Sequence, residues 1–152
     1  MVFFKKQNKI SDIIKEKLKE SNGKALMPTL RGAPIAFWIS PANGGVETEK
    51  LSNYVLEWEH FDEIVKKANT LGGKMYRGDA LAQAGDKLGG EISHECMEGF
   101  IASELLYIGD GSAITRRSTY YSGILAWAGI VTLHRSQGKG SYITVNPAFR
   151  SF

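Results

Sequence analysis

Residues 112–147, SAITRRSTYYSGILAWAGIVTLHRSQGKGSYITVNP, carry the pattern that decides the fold of this chain. Apolar side chains first recur at helical spacing, and Gly129 then provides a C-terminal cap for that helix. Two strand-like segments follow, residues 130–135 and 141–145, and a polar loop that contains glycine joins them. The stretch therefore predicts a helix followed by a β-hairpin with a basic loop.

This order of elements resembles the recognition helix and wing of winged helix-turn-helix DNA-binding domains. In such domains a short corner, like residues 126–131 (AWAGIV), leads from the helix into the hairpin. The resemblance covers the last third of the chain, and it extends back to Phe61 if earlier helices supply the rest of a trihelical core. A weaker likeness is to the winged helices attached to restriction systems. The resemblance implies a module that sits on duplex DNA.

The helix face opposite the apolar stripe carries mostly small side chains, which a major groove about 12 Å wide would admit. Arg116 is expected to reach a guanine edge, Thr119 and Ser122 to contact bases or phosphates, and the remaining cations to contact the DNA backbone. The predicted DNA-binding residues are Arg116, Arg117, Ser118, Thr119, Ser122, His134, Arg135 and Lys139. The alternative is that the small residues mark close packing against another helix, for which Gly123 and Ala126 are equally suited.

Two details of the helix-turn-helix interpretation stay open. The recognition helix begins either at Ile114 or, capped by Ser118, one turn later. The later start would make Arg116 and Arg117 an N-terminal phosphate clamp rather than base readers. The first helix of the pair is either the one before Gly109 or a segment near residue 79.

Charge is distributed unevenly along the chain. The first 110 residues contain fourteen basic and sixteen acidic side chains, whereas no acidic residue follows Asp110. The last 42 residues carry five cations, namely Arg116, Arg117, Arg135, Lys139 and Arg150. Such a block attracts a polyanion and releases counterions when it meets phosphates. The alternative is a solvated basic face that has no partner.

The whole chain predicts an α+β fold with two subdomains. Residues 1–58 are expected to form a helix capped by Ser11 and a small antiparallel meander of three segments, 34–40, 46–49 and 53–58. Residues 59–152 are expected to form the helical, winged-helix subdomain. Its helices are predicted at residues 61–71, 79–84 and 93–107, before the one described above.

The residue pattern offers little support for catalysis. No Glu-x-Lys or Asp-x-Lys triplet is present, although a restriction-type nuclease needs that pair around its metal. The three histidines are scattered, and Cys96, the single cysteine, is expected to be a buried thiol. The carboxylates at residues 57, 59, 62 and 63 suggest either acid–base chemistry or, more simply, a favourable charge at the start of a helix.

The leading hypothesis is a sequence-preferring duplex DNA-binding protein, a regulator or an accessory of a mobile-element or defence system. It is predicted to be cytoplasmic, because no apolar run approaches the roughly 18 residues of a membrane span. No catalytic residue, metal or cofactor is predicted, and a homodimer on a palindromic site is left open. One alternative is a winged-helix protein-interaction module that uses Phe37, Trp38 and the Arg31 loop. A third is a restriction-type nuclease subunit.

Overall fold

The fold is α+β, as predicted, and the computed structural model describes residues 9–136 and 140–152. Its first part is a helix followed by a four-stranded antiparallel sheet whose strands lie in chain order. These elements are α1 (Ile10–Glu20), β1 (Lys24–Met27), β2 (Ile35–Ile39), β3 (Gly45–Thr48) and β4 (Leu51–Glu57). The predicted meander is therefore present, and it has one strand more than expected.

The start of α1 differs from the prediction, because Ser11 lies inside the helix rather than at its cap. Lys9 precedes the helix, and its N–H donates to the Asp12 carboxylate at 3.1 Å. Ser11 is buried, and both its N–H and its hydroxyl donate to Asp62 on another helix. The serine therefore links α1 to another helix instead of capping the N-terminus of α1.

The described residues of the second part of the chain form four α-helices, a π-helical turn, a 3-10 turn and a three-stranded antiparallel sheet. The elements are α2 (Trp58–Thr70), β5 (Lys74–Tyr76), α3 (Asp79–Gln83), α4 (Met97–Phe100) with a π-helical turn (Ile101–Leu105), α5 (Ser118–Trp127), β6 (Val131–His134), β7 (Tyr142–Val145) and a short 3-10 turn (Pro147–Phe149). The predicted hairpin is confirmed as β6 and β7, and β5 adds a third strand by pairing with β7. The predicted helix at 93–107 begins later, at Met97.

One hydrophobic cluster joins the two predicted subdomains. It includes Ile14 of α1 and Phe37 of β2 together with Phe61 of α2, Tyr121 of α5 and Ile143 of β7. All five side chains have no exposed surface or almost none. The sheet of the first part and the helices of the second therefore share a core.

Helix α5 begins at Ser118, close to the later of the two predicted starts, although its N-cap is Arg117 rather than Ser118, and it packs directly on the first sheet. A Cβ atom at Gly123 would lie 2.8 Å from the Met27 sulfur and 3.1 Å from the Pro28 carbonyl oxygen. The glycine therefore permits close approach, as the alternative interpretation of the small residues expected, but the partner is β1 rather than another helix. None of the helices in the described part of the chain has the length and apolar character needed to cross a membrane.

Candidate nucleic-acid interface

A cleft of about 900 Å³ lies between the loop that joins β1 to β2 and residues 135–136 and 140–141, which flank the β6–β7 connection. Helix α3 and the start of α5 complete its walls. Five of its lining side chains are cationic and two are acidic: Arg31, Lys50, Arg77, Arg116 and Arg135 against Glu49 and Asp79. This cleft, called the basic cleft below, collects cations from five separate segments of the chain.

Arg116 and Arg135 are held in the basic cleft by neutral acceptors. The Arg116 Nη1 donates to Gln83 Oε1 at 2.9 Å, and the Arg135 Nη2 donates to the Leu30 carbonyl at 3.2 Å. Among residues 9–136 and 140–152, no carboxylate lies within 4.0 Å of the guanidinium of Arg31, Arg116 or Arg135. Each guanidinium offers five N–H donors, so most of its capacity and all of its charge are left for an anion.

The floor of the cleft is a neutralised pair, because the buried Arg77 meets Asp79. Its Nη2 lies 3.1 Å from Asp79 Oδ2, and its other nitrogens donate to Ser141 Oγ at 2.8 Å and Ser122 Oγ at 3.1 Å. Burial lowers the pKa of the Arg77 guanidinium, although the charges of Asp79 and Glu98 oppose that change. Asp79 therefore adds little repulsion toward an anion in the cleft.

The N-terminus of α5 is already occupied by a carboxylate from the same chain. Glu98, only 1% exposed, accepts the Arg117 N–H at 2.9 Å, the Ser118 N–H at 3.0 Å and the Ser118 hydroxyl at 2.7 Å. Burial raises the pKa of Glu98, and these hydrogen bonds counteract the rise. The predicted phosphate clamp of Arg116 and Arg117 is thus corrected in part: the Arg117 N–H already has an acceptor, and of the two side chains only that of Arg116 lines the basic cleft.

The two serines among the predicted DNA contacts are turned inward. Ser118 and Ser122 have no exposed surface. The Ser118 hydroxyl donates to Glu98, while the Ser122 hydroxyl donates to the Ser118 carbonyl at 2.6 Å and accepts from Arg77. This placement corrects the prediction for both residues, because neither hydroxyl can reach a base from inside the core.

The remaining predicted contacts divide between the basic cleft and other surfaces. Arg116, Thr119 and Arg135 line the cleft together. Arg117 instead lies over the Tyr54 ring, with its Cζ 5.0 Å from the ring centroid. His134 stacks on Tyr142 at a centroid distance of 4.6 Å. Lys139 lies outside the described residues.

Several residues of the cleft were not predicted as DNA contacts, namely Arg31, Lys50, Arg77 and Gln83. The only sequence signal among them was the Arg31 loop, which the protein-interaction alternative used. In this loop the Thr29 hydroxyl donates to the Gly32 carbonyl at 2.6 Å, and the loop forms one wall of the cleft. Local sequence does not show that this loop contacts Arg135, about a hundred residues later.

The chemistry elsewhere in the described part of the chain is limited. Cys96 is buried, as predicted, and burial raises the pKa of its thiol. Across the described ranges, no three His, Cys, Asp or Glu side chains come together as a group that could hold a metal ion. The basic cleft is accordingly the feature from which a function is inferred.

Comparison with known proteins gave no match. No family model, no curated protein and no solved structure matches this chain.

Proposed function

We propose that the chain binds duplex DNA, and that the rim of the basic cleft contacts the phosphate backbone. The observation that carries this proposal is the convergence of Arg31, Arg116 and Arg135 on one cleft, without an ion pair to any carboxylate in the described ranges. Uncompensated guanidinium groups on one surface attract a polyanion and gain free energy by releasing its counterions.

The order of elements gives further support. Helix α5 is followed directly by the β6–β7 hairpin, and α2, α3 and α4 precede it with β5 between α2 and α3. A helix that leads into a hairpin is the order that the winged-helix interpretation expects. The segment between β6 and β7 includes Lys139 and adds a cation next to the hairpin in sequence. A wing of this kind contributes backbone contacts beside those of the cleft.

The mode of contact proposed here differs from insertion of a recognition helix. Helix α5 is covered by β1 at Gly123, and its two serines are buried. Backbone contacts orient a protein on DNA but carry little direct sequence information. We therefore expect binding that depends steeply on salt and only weakly on sequence.

The test compares the double variant Arg116→Ala/Arg135→Ala with the charge-matched control Lys19→Ala/Lys66→Ala, whose lysines are exposed on α1 and α2. Binding to a fluorescent duplex is measured by anisotropy between 50 and 200 mM salt. The cleft variant should weaken binding at least about tenfold, because two charge-assisted contacts are lost. It should also make the slope of log K against log salt about two units shallower, since each phosphate contact contributes about 0.9.

Two results would contradict the proposal. Unchanged affinity in the cleft variant would show that these arginines do not contact DNA, and equal weakening in the control pair would show that total charge alone matters. A protein-interaction module, the alternative function, would show no salt-dependent retention of DNA. Melting curves of all variants confirm that they remain folded.

A further inference from the structure

The basic cleft is too small to admit a DNA duplex but large enough to admit a small ligand. Its volume of about 900 Å³ falls within the roughly 300–1,000 Å³ that is typical of small-ligand sites. A duplex, whose major groove alone is about 12 Å wide and 8.5 Å deep, can lie only across the mouth of such a cleft. The interior is thus left for a smaller ligand.

We propose that the interior of the basic cleft is a binding site for a nucleotide-sized phosphate monoester, either free or at the end of a DNA strand. This site does not depend on duplex binding at the rim. The two share the arginines at the mouth, but they differ in the part of the cleft that the ligand fills.

Charge favours a phosphate monoester over the diesters within a strand. A monoester carries close to two negative charges near pH 7, as a phosphorylated side chain does, whereas each diester along a duplex carries one. Arg116 and Arg135 present planar guanidinium groups that are oriented by Gln83 and by the Leu30 carbonyl. A guanidinium binds two phosphate oxygens at once, so oriented guanidiniums suit a terminal phosphate.

The lining of the cleft also suits a ligand that carries an organic group on its phosphate. Pro34, Ile35 and Tyr120 are the larger apolar residues of the lining, with Ile35 and Tyr120 almost fully buried, and Thr119 adds a half-buried hydroxyl. Inorganic phosphate alone would leave most of the 900 Å³ unfilled. A sugar and a base would cover the apolar residues while the phosphate meets the arginines.

The experiment measures binding of each of the four deoxynucleoside 5′-monophosphates by isothermal titration, with the matching uncharged nucleosides as controls. A trinucleotide with and without a 5′-phosphate provides the second arm. The phosphorylated member of each pair should bind at least about tenfold more tightly, because hydrogen bonds to charged groups are the stronger ones. Binding of only the free monophosphates, or of only the phosphorylated trinucleotide, would support the site and identify its source of ligand.

A variant that fills the cleft keeps the test independent of the arginines. Ala80 lines the cleft and is exposed on α3, so Ala80→Trp should fill the interior without disturbing the core. Ala84→Trp is the matched control, because Ala84 is exposed at the end of the same helix but does not line the cleft. Ala80→Trp should remove at least nine-tenths of the monophosphate affinity, and Ala84→Trp should leave it unchanged.

The outcomes separate this site from the proposed function. Ala80→Trp should still retain duplex DNA, since the charges at the rim are kept. If the wild-type chain bound the monophosphates but did not bind duplex DNA, only the proposed function would be overturned. The absence of any preference for the phosphorylated ligands, or an equal loss in Ala80→Trp and Ala84→Trp, would overturn the site.

Discussion

Two buried charged residues determine what the neighbouring side chains of α5 can do. Glu98 accepts hydrogen bonds from the N–H groups and the hydroxyl at the start of the helix. Arg77 donates a hydrogen bond to the hydroxyl of Ser122. Serines that a helical pattern would place on an exposed face are thereby drawn into the core. A buried charge needs such partners, because leaving it without hydrogen bonds would be strongly unfavourable.

Sequence alone could not distinguish these two uses of a serine. Small polar residues at helical spacing suit both a groove-facing surface and the bonding of a buried charge. The partner of Ser122 lies 45 residues earlier in the chain, and no local spacing reveals a contact of that range. The burial of Cys96, in contrast, was predictable, because its position within an apolar pattern was sufficient.

At the residue scale, His60 provides a prediction about pH. Its ring is buried beside the Tyr121 hydroxyl at 3.0 Å, and burial lowers its pKa below the ordinary 6.5, although Glu57, Glu59 and Glu63 oppose the change. The unfolded chain therefore binds a proton on His60 more readily than the folded chain does. The stability due to neutral His60 is complete above about pH 6.5 and decreases as the pH falls through the folded-state pKa.

The measurement is urea unfolding of the wild type and His60→Gln between pH 5 and 7. In the wild type, His60 should contribute a decrease of up to about 1.4 kcal/mol per pH unit as the pH falls below 6.5. His60→Gln should remove that contribution and flatten the curve. An identical pH dependence in the two proteins would show that His60 titrates normally.

At the element scale, the close contact between α5 and β1 predicts the effect of a side chain at Gly123. Gly123→Val should destabilise the protein by about 2–3 kcal/mol, because the added atoms meet the Met27 sulfur and the Pro28 carbonyl. Gly123→Ala should destabilise the protein less than Gly123→Val. The higher helix propensity of alanine, about 1 kcal/mol, partly offsets the cost of displacing the Met27 side chain.

A double-mutant cycle measures this contact directly. Met27→Ala vacates the space beside position 123, so Gly123→Val should be less destabilising in that background than in the wild type. Denaturant unfolding of the four proteins gives the coupling free energy. Strict additivity would show that the two elements do not meet at this point.

Elements marked by a clear pattern and by turn residues were predictable, and β1 and β5 were not. The strands β6 and β7, with four residues each, follow from two β-prone segments around a glycine-bearing loop, whereas β1 and β5, with four and three residues, lack such a signal. Helix α4 starts late because the Cys96 sulfur, at 3.4 Å, accepts the Gly99 N–H and acts as its cap. A thiol is not among the usual capping groups, so the residue pattern carried no signal for a start at this position.

At the scale of the whole molecule, the shared core predicts that the two expected subdomains do not fold separately. The fragment of residues 59–152 would expose Phe61, Tyr121 and Ile124, which the first part of the chain helps to cover. We expect this fragment to lack a cooperative urea transition by circular dichroism, while the complete chain unfolds in one step. A cooperative transition in the fragment would establish an independent domain.

The fold class and the cationic nature of the site were predictable, but the place where the cations meet was not. Arg116 and Arg135 of the acid-free C-terminal block line the basic cleft. Arg31 belongs to the other predicted subdomain, and only the packing of the first sheet on α5 brings it to the same cleft. Tertiary packing therefore moved the candidate site from a helix face to the junction of two sheets.

Glu98 has a consequence for how this protein can change over evolutionary time. The Glu98 carboxylate occupies the N–H groups at the positive end of α5. In many other helices these groups are free to bind a phosphate. A descendant that gripped DNA with this helix terminus would first have to lose the glutamate, and with it a tie between two helices. An anion site at this helix terminus and the packing of α4 on α5 therefore compete for the same N–H groups.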